Sequence, residues 1–125
     1  MKNSPRHIVL VLYVLAMVLA FLLPVPPAPV AASSGFDKVV HSGLFLGFAL
    51  LYYLDRRTSV VRMLLVSIAF AGGIELAQWA LPYRSGDWWD LIAGVTGAGV
   101  GIVIGVLGTP RPGGEEDLGV SPPGT

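Results

Sequence analysis

Five polar side chains lie within sixteen residues, where two long apolar segments of the chain meet at a short elbow (residues 82–87). They are Glu75, Gln78, Arg84, Asp87 and Asp90. An ionisable group close to hydrocarbon is costly, so its presence indicates a functional site by default. Carboxylates and a guanidinium permit acid–base chemistry, ion pairing or the binding of a polar headgroup. These residues are therefore the first candidates for function.

The composition of the 125-residue chain is that of a membrane protein with one domain. Hydrophobic residues make up 54% of it and charged residues 13%, which is too apolar for a soluble globular domain. Eight basic and eight acidic residues cancel, so the net charge gives no reason to expect a nucleic-acid partner. Without cysteine, disulfides, thiolate catalysis and cysteine metal sites are excluded.

Four apolar segments predict four transmembrane helices, at about residues 7–24, 38–54, 59–81 and 88–107. Prolines predict an external loop from Pro24 to Gly35, and Pro82 ends the third helix. We expect an all-α four-helix membrane domain over residues 1–107 and a disordered, Pro- and Gly-rich tail over 108–125. The first segment could instead be a cleaved secretory signal with small residues at 30–32, which would leave three helices.

The topology follows from counting Lys and Arg in the short flanks of the predicted helices. Six lie on one side: Lys2, Arg6, Arg56, Arg57, Arg62 and Arg111. The other side carries only Lys38 and Arg84. The positive-inside rule therefore predicts that both termini are cytoplasmic.

With that topology, eight polar residues from three segments fall at one depth, near the external headgroup layer. This polar cluster consists of Asp37, Lys38, His41, Glu75, Gln78, Arg84, Asp87 and Asp90. Asp87 and Asp90 continue the stripe of small residues along the fourth helix, so we expect them to point into the bundle. Glu75 lies roughly 9 Å inside its helix end, at about 1.5 Å per residue, and must be paired, hydrogen-bonded or protonated. Arg84 and Lys38 are the available cations.

Most of these residues also have a structural interpretation. Asp37 could be a helix N-cap or an acid of the first helical turn, where it suits the helix dipole. Asp87 could cap the fourth helix, and Lys38 could extend its ammonium to the interface. His41 could be a packed, hydrogen-bonded histidine, and Gln78 could bridge two helices. Three tryptophans near the elbow are expected to form an aromatic belt at the outer interface: Trp79, Trp88 and Trp89.

Glycines spaced four apart predict close helix packing. One pair, Gly43 and Gly47, lies in the second helix, and Gly97, Gly101 and Gly105 lie in the fourth. These faces could serve packing within the chain or a homo-oligomer.

The polar segments resemble the VanZ-like family of small bacterial membrane proteins over about residues 36–105. The matching segments are Asp37-Lys38-Val39-Val40-His41, Gly73-Ile74-Glu75-Leu76-Ala77-Gln78, Pro82-Tyr83-Arg84-Ser85-Gly86-Asp87, Asp90-Leu91-Ile92-Ala93-Gly94 and Gly97 to Gly101. The resemblance implies a multi-pass protein of the bacterial cytoplasmic membrane with a role in the cell envelope. Through the founding member it implies low-level antibiotic resistance, to teicoplanin. The family usually carries an asparagine where Gly94 stands, which implies an altered site here.

Three functions are open. The first is a binding protein for an anionic or sugar-bearing amphiphile, such as an envelope lipid or a lipoglycopeptide. The second is an enzyme acting on a lipid-linked or acylated substrate, with Glu75 and His41 as acid and base. The third is structural, with the polar cluster locking the bundle. We expect no cofactor; a divalent metal on His41, Glu75, Asp87 and Asp90 is a minor variant of the enzyme. Transport is not expected, because polar groups lie at one end only.

Overall fold

A computed structural model of the chain describes residues 4–24 and 33–109. The regular structure within these ranges is entirely helical, which confirms the all-α class: α1 (Pro5–Leu22), α2 (Ser33–Arg56), α3 (Val60–Ala80) and α4 (Trp88–Gly108). Three of these helices, α1, α3 and α4, are long and apolar enough to cross a membrane. The apolar stretch of α2 is shorter, because charged pairs flank it at 37–38 and 55–56.

Polar caps explain where three helices begin. Ser4 caps α1 by accepting a hydrogen bond from the His7 amide at 3.3 Å, and Pro5 occupies the first helical position. Ser59 caps α3 with a bond of 3.3 Å from the Arg62 amide. At the elbow, Asp87 accepts from the Trp89 amide at 3.0 Å and begins α4.

Helix α2 begins at Ser33, earlier than the predicted start at 38. The prediction of a non-helical segment is therefore wrong for residues 33–35, because the last proline before them is Pro29 and nothing bars a helix at Ser33. Asp37 lies inside α2, so its interpretation as an N-cap is also wrong. The rest of the predicted loop (25–32), with the small residues at 30–32, and all but the start of the predicted tail (110–125) lie outside the described residues.

Helix α4 packs most extensively against α2, and its glycines make this possible. A Cβ atom at Gly97 or Gly101 would collide with the backbone oxygen of Ser42 or Leu46, respectively. The helices therefore touch backbone to backbone, and this glycine stripe serves packing within the chain. On α2, the space beside Gly47 is filled by the Tyr13 ring of α1.

Phenylalanines from three helices form the core beneath the polar cluster. Phe45 stacks on Phe21 of α1 at 6.0 Å between ring centroids and meets Phe70 of α3 at 5.5 Å. The Phe45 ring also lies beside Gly94, where an added Cβ would be 2.9 Å from its Cδ2 atom. An asparagine at position 94 would therefore displace this ring.

Candidate functional site

The polar cluster gathers at one end of the bundle, because α2 and α4 begin there and α3 ends there. Its three most buried members with ionisable side chains are His41, Glu75 and Asp90, each with 6% or less of its surface exposed. Buried polar groups must be hydrogen-bonded or paired. Their partners therefore show what the arrangement can do.

The His41 ring has one nitrogen engaged and one free. Its Nδ1 lies 2.9 Å from the backbone oxygen of Asp37, and a carbonyl can only accept, so Nδ1 carries the proton. Nε2 is buried without a hydrogen-bond partner among the described residues, and it lies 3.6 Å from Oε1 of Glu75. Phe21 stacks on the ring at 4.4 Å between centroids. The imidazole is thus held in place with Nε2 facing a carboxylate.

Glu75 is held by the elbow backbone. Its Oε2 accepts a hydrogen bond of 3.0 Å from the Asp87 amide, and its Oε1 faces His41. Within residues 4–24 and 33–109, neither Arg84 nor Lys38 forms a salt bridge with it. Of the expected alternatives for Glu75, the hydrogen bond is therefore confirmed, while the two available cations have other partners.

Lys38 joins α2 to the start of α4. Its ammonium lies 3.1 Å from Oδ2 of Asp87 and 3.4 Å from Oδ1 of Asp90. It is therefore an ion-pair partner and not only an interfacial side chain. The hydrogen bond from the Trp89 amide, and then the Lys38 ammonium, hold the pKa of Asp87 below its ordinary value.

The group best placed to hold a metal differs from the predicted one. Asp37, His41 and Asp90 each offer a ligand atom, and these atoms lie within 4.8 Å of one another. The predicted set contained Glu75 and Asp87 in place of Asp37. Within this group, the Lys38 ammonium already gives the Asp90 carboxylate a positive partner.

Arg84 turns away from the acids and binds the end of α1. Its Nη2 donates to the backbone oxygens of Ala20 and Leu23 at 2.9 and 2.8 Å. The last carbonyls of a helix lack partners within it and carry partial negative charge, so a guanidinium suits this position. Arg84 thus holds the end of α1 through its Nη2 atom.

Gln78 and Tyr83 complete the same contact. The Gln78 amide donates to the Phe21 oxygen at 3.0 Å, and the Tyr83 hydroxyl donates to the Leu22 oxygen at 2.9 Å. With Arg84, these side chains bind four consecutive carbonyls at the end of α1. The interpretation of Gln78 as a bridge between helices fits its observed contact.

A groove leads from the outside of the bundle to the polar cluster. It is a cavity of about 190 Å³ between α3 and α4, lined by Gly72, Glu75, Leu76, Trp79, Asp87, Trp88 and Leu91. Trp79 and Trp88 meet edge to face at 5.3 Å and are largely exposed. The exposed walls are apolar, and two acidic residues, Glu75 and Asp87, are among those that line it.

Two parts of this site were not predicted. Phe21 lies in an apolar run, and no local pattern marks it as the residue that covers His41. The groove depends on how α3 and α4 diverge around the elbow, which the residue spacing does not specify. The tryptophans beside the elbow were its only local signal.

Comparisons with known proteins show which family the chain resembles. The VanZ/LLP1 family model matches residues 11–108, which confirms the resemblance drawn from the polar segments. The chain is also similar to the uncharacterized protein C11E3.10 of Schizosaccharomyces pombe, with 30% identity over 107 residues and 82% of this chain covered. It spans 64% of the length of that relative. No solved structure matches the chain.

Proposed function

The chain belongs to the VanZ/LLP1 family, and we propose that it is a membrane protein whose polar cluster binds the headgroup of a membrane amphiphile. The observation that carries the proposal is the groove between α3 and α4, whose lining combines apolar side chains with the acidic residues Glu75 and Asp87. An apolar cleft with a few convergent polar groups is the usual form of a ligand site. A lipid chain fits against Leu76 and Leu91, which brings its headgroup to the carboxylates.

The charges favour one class of headgroup. The acids near the groove are Asp37, Glu75, Asp87 and Asp90, whereas Lys38 is the cation among them. Arg84 is occupied by the α1 carbonyls. Carboxylates accept hydrogen bonds from hydroxyl and ammonium groups and repel phosphate. Of the expected ligands, a sugar-bearing lipid or a lipoglycopeptide therefore fits better than an anionic lipid.

The proposal includes a location and a biological role. The distribution of Lys and Arg supports four membrane-spanning helices with both termini cytoplasmic, and the resemblance of the polar segments implies a bacterial cytoplasmic membrane. The polar cluster then faces the cell envelope. Binding of a lipoglycopeptide at that surface is a route to teicoplanin resistance.

A substitution that fills the groove tests the binding. Leu76 lines the groove and is 66% exposed, while Leu65 on the same helix is 62% exposed and lies outside it. We expect Leu76→Trp to weaken the binding of teicoplanin and of a glycosylated diacylglycerol in phosphatidylcholine nanodiscs. Leu65→Trp adds the same indole and should bind like the wild type. Equal binding by all three proteins would refute the proposal.

The His41–Glu75 pair favours a second candidate function, that of an enzyme acting on a lipid-linked or acylated substrate. A general base needs a fixed orientation and a free nitrogen, and the contact between Nδ1 and Asp37 leaves Nε2 available. Glu75 at 3.6 Å can exchange a proton with it after a small movement. The backbone of Ser42 packs against Gly97. Within the described residues we assign no side chain as a nucleophile for this reaction.

Product formation distinguishes the two functions. Purified protein is incubated with labelled envelope lipids, and the products are separated by chromatography. The enzyme requires a product that disappears in both His41→Asn and Glu75→Gln. Retention of an unchanged lipid by the wild type, without any product, supports binding alone.

A further inference from the structure

The end of the bundle opposite the polar cluster holds a second cavity. It has a volume of about 520 Å³ and is lined by Tyr52, Arg56, Arg57, Thr58 and Arg62, where α2 ends and α3 begins. Three of its five lining residues are arginines. The proposed function makes no use of this region.

Among the described residues, one carboxylate pairs with this group of arginines. Asp55 forms an ion pair with Arg56, with 3.3 Å between its Oδ2 and the Arg56 Nε. The same Oδ2 atom also lies 3.2 Å from Nδ1 of His7. In the part of the chain that the structure describes, neither Arg57 nor Arg62 forms a salt bridge. Two guanidiniums therefore line one cavity, and no carboxylate within residues 4–24 and 33–109 forms a salt bridge with either of them.

The backbone holds these two arginines on either side of a short loop. Arg57 has a φ of 44°, and its amide donates to the Tyr53 oxygen at 2.8 Å, which closes the end of α2. Ser59 then caps α3 by accepting from the Arg62 amide. The start of α3, which carries partial positive charge, thus lies beside both guanidiniums.

We propose that this cavity binds the phosphate of an anionic phospholipid. Guanidinium groups bind phosphate oxygens in a forked geometry, and hydroxyls such as those of Tyr52 and Thr58 donate further hydrogen bonds. Basic pockets between transmembrane helices are typical sites for anionic lipid headgroups. Val60 and Val61 are exposed directly beside the cavity, at 43% and 66%. An apolar surface at this position suits the chains of a lipid and not a free anion.

Native mass spectrometry tests the site. The purified chain is mixed with equal amounts of phosphatidylglycerol and phosphatidylcholine in detergent micelles, and the lipid that stays bound is identified. We expect the wild type to retain phosphatidylglycerol. Arg57→Gln and Arg62→Gln should each lower its affinity about tenfold, as expected for the loss of one charge-assisted hydrogen bond.

A matched control separates this site from general attraction of anions. Arg6 is an exposed arginine of α1 at the same end of the bundle and does not line the cavity. Arg6→Gln removes the same charge and should leave retention unchanged. Equal losses in all three variants would overturn the proposal, as would wild-type retention of both lipids alike.

Lysine variants and a competition with inorganic phosphate test the two remaining parts of the proposal, the guanidinium geometry and the lipid. Arg62→Lys keeps the charge but not the forked geometry, so it should fold normally and bind with intermediate affinity even if a glutamine variant unfolds. Wild-type affinity in Arg62→Lys together with Arg57→Lys would contradict recognition by guanidinium groups. Inorganic phosphate at the same concentration as the lipid should not displace it. Full displacement would overturn the assignment to a lipid.

Discussion

Nε2 of His41 on α2 lies 3.6 Å from Oε1 of Glu75 on α3, and both side chains are almost fully buried. The distance is too long for a hydrogen bond. The two groups are nevertheless held independently, because Asp37 fixes one ring nitrogen of His41 and the Asp87 amide fixes the other oxygen of Glu75. A ligand hydroxyl or a proton can therefore be shared between them without a rearrangement of the bundle.

Glu75→Gln distinguishes a binding site from a structural lock. Glutamine keeps an oxygen that accepts the hydrogen bond from the Asp87 amide, so we expect the free energy of unfolding to change by about 1 kcal/mol or less. Binding of the sugar-bearing amphiphile should be lost, because the carboxylate is gone. Thermal unfolding in detergent and ligand retention are measured on the same sample. If the variant fails to accumulate as folded protein, the structural interpretation is correct instead.

Arg84→Gln tests the attachment of α1. Loss of the two hydrogen bonds from the guanidinium to Ala20 and Leu23 should destabilise the protein by about 1–3 kcal/mol. Amide hydrogen exchange should rise in the last turn of α1. Tyr83→Phe removes one neutral hydrogen bond at the same place, so its effect should be smaller. Unchanged exchange in α1 would show that Arg84 does not hold this helix.

The contrast between Arg84 and Asp90 explains which parts of the site could be predicted. Asp90 continues a stripe of small residues on its own helix, so its inward direction follows from local spacing, and it is buried as expected. Arg84 could pair with nearby carboxylates, but it binds backbone carbonyls that are 61 and 64 residues away in the sequence. That choice depends on where α1 ends in space, and no local pattern encodes it.

The same distinction applies to the fold. The four helices follow from apolar length and from the proline at the elbow, because both act locally. The early start of α2 does not, since Ser33 follows the proline segment without an apolar signal. Phe21 covers His41 only because α1 packs beside α2, which is again a tertiary effect.

Gly97→Ala tests the contact between α2 and α4. The added methyl group would collide with the backbone oxygen of Ser42, and backbone atoms cannot move aside as a flexible side chain can. We expect a loss of about 1–3 kcal/mol, the usual cost of overpacking. Gly99 lies on the same helix and has open space at its Cβ position, so Gly99→Ala is the matched control and should not destabilise the protein. Equal stability of the two variants in chemical unfolding would contradict the backbone contact.

The lowered pKa of Asp87 predicts a pH dependence of stability. Its carboxylate is favoured in the folded state by the Trp89 amide and by Lys38, so its contribution is complete above the ordinary pKa of 3.8 and is lost as the pH falls through the lowered folded value. Asp87→Asn keeps an oxygen to cap α4 but removes this titration. Because other acids also titrate below pH 5, the measured quantity is the difference in stability between wild type and Asp87→Asn, followed as the pH is lowered. This difference should shrink in acid; a difference that stays constant would mean that Asp87 is not stabilised as a carboxylate.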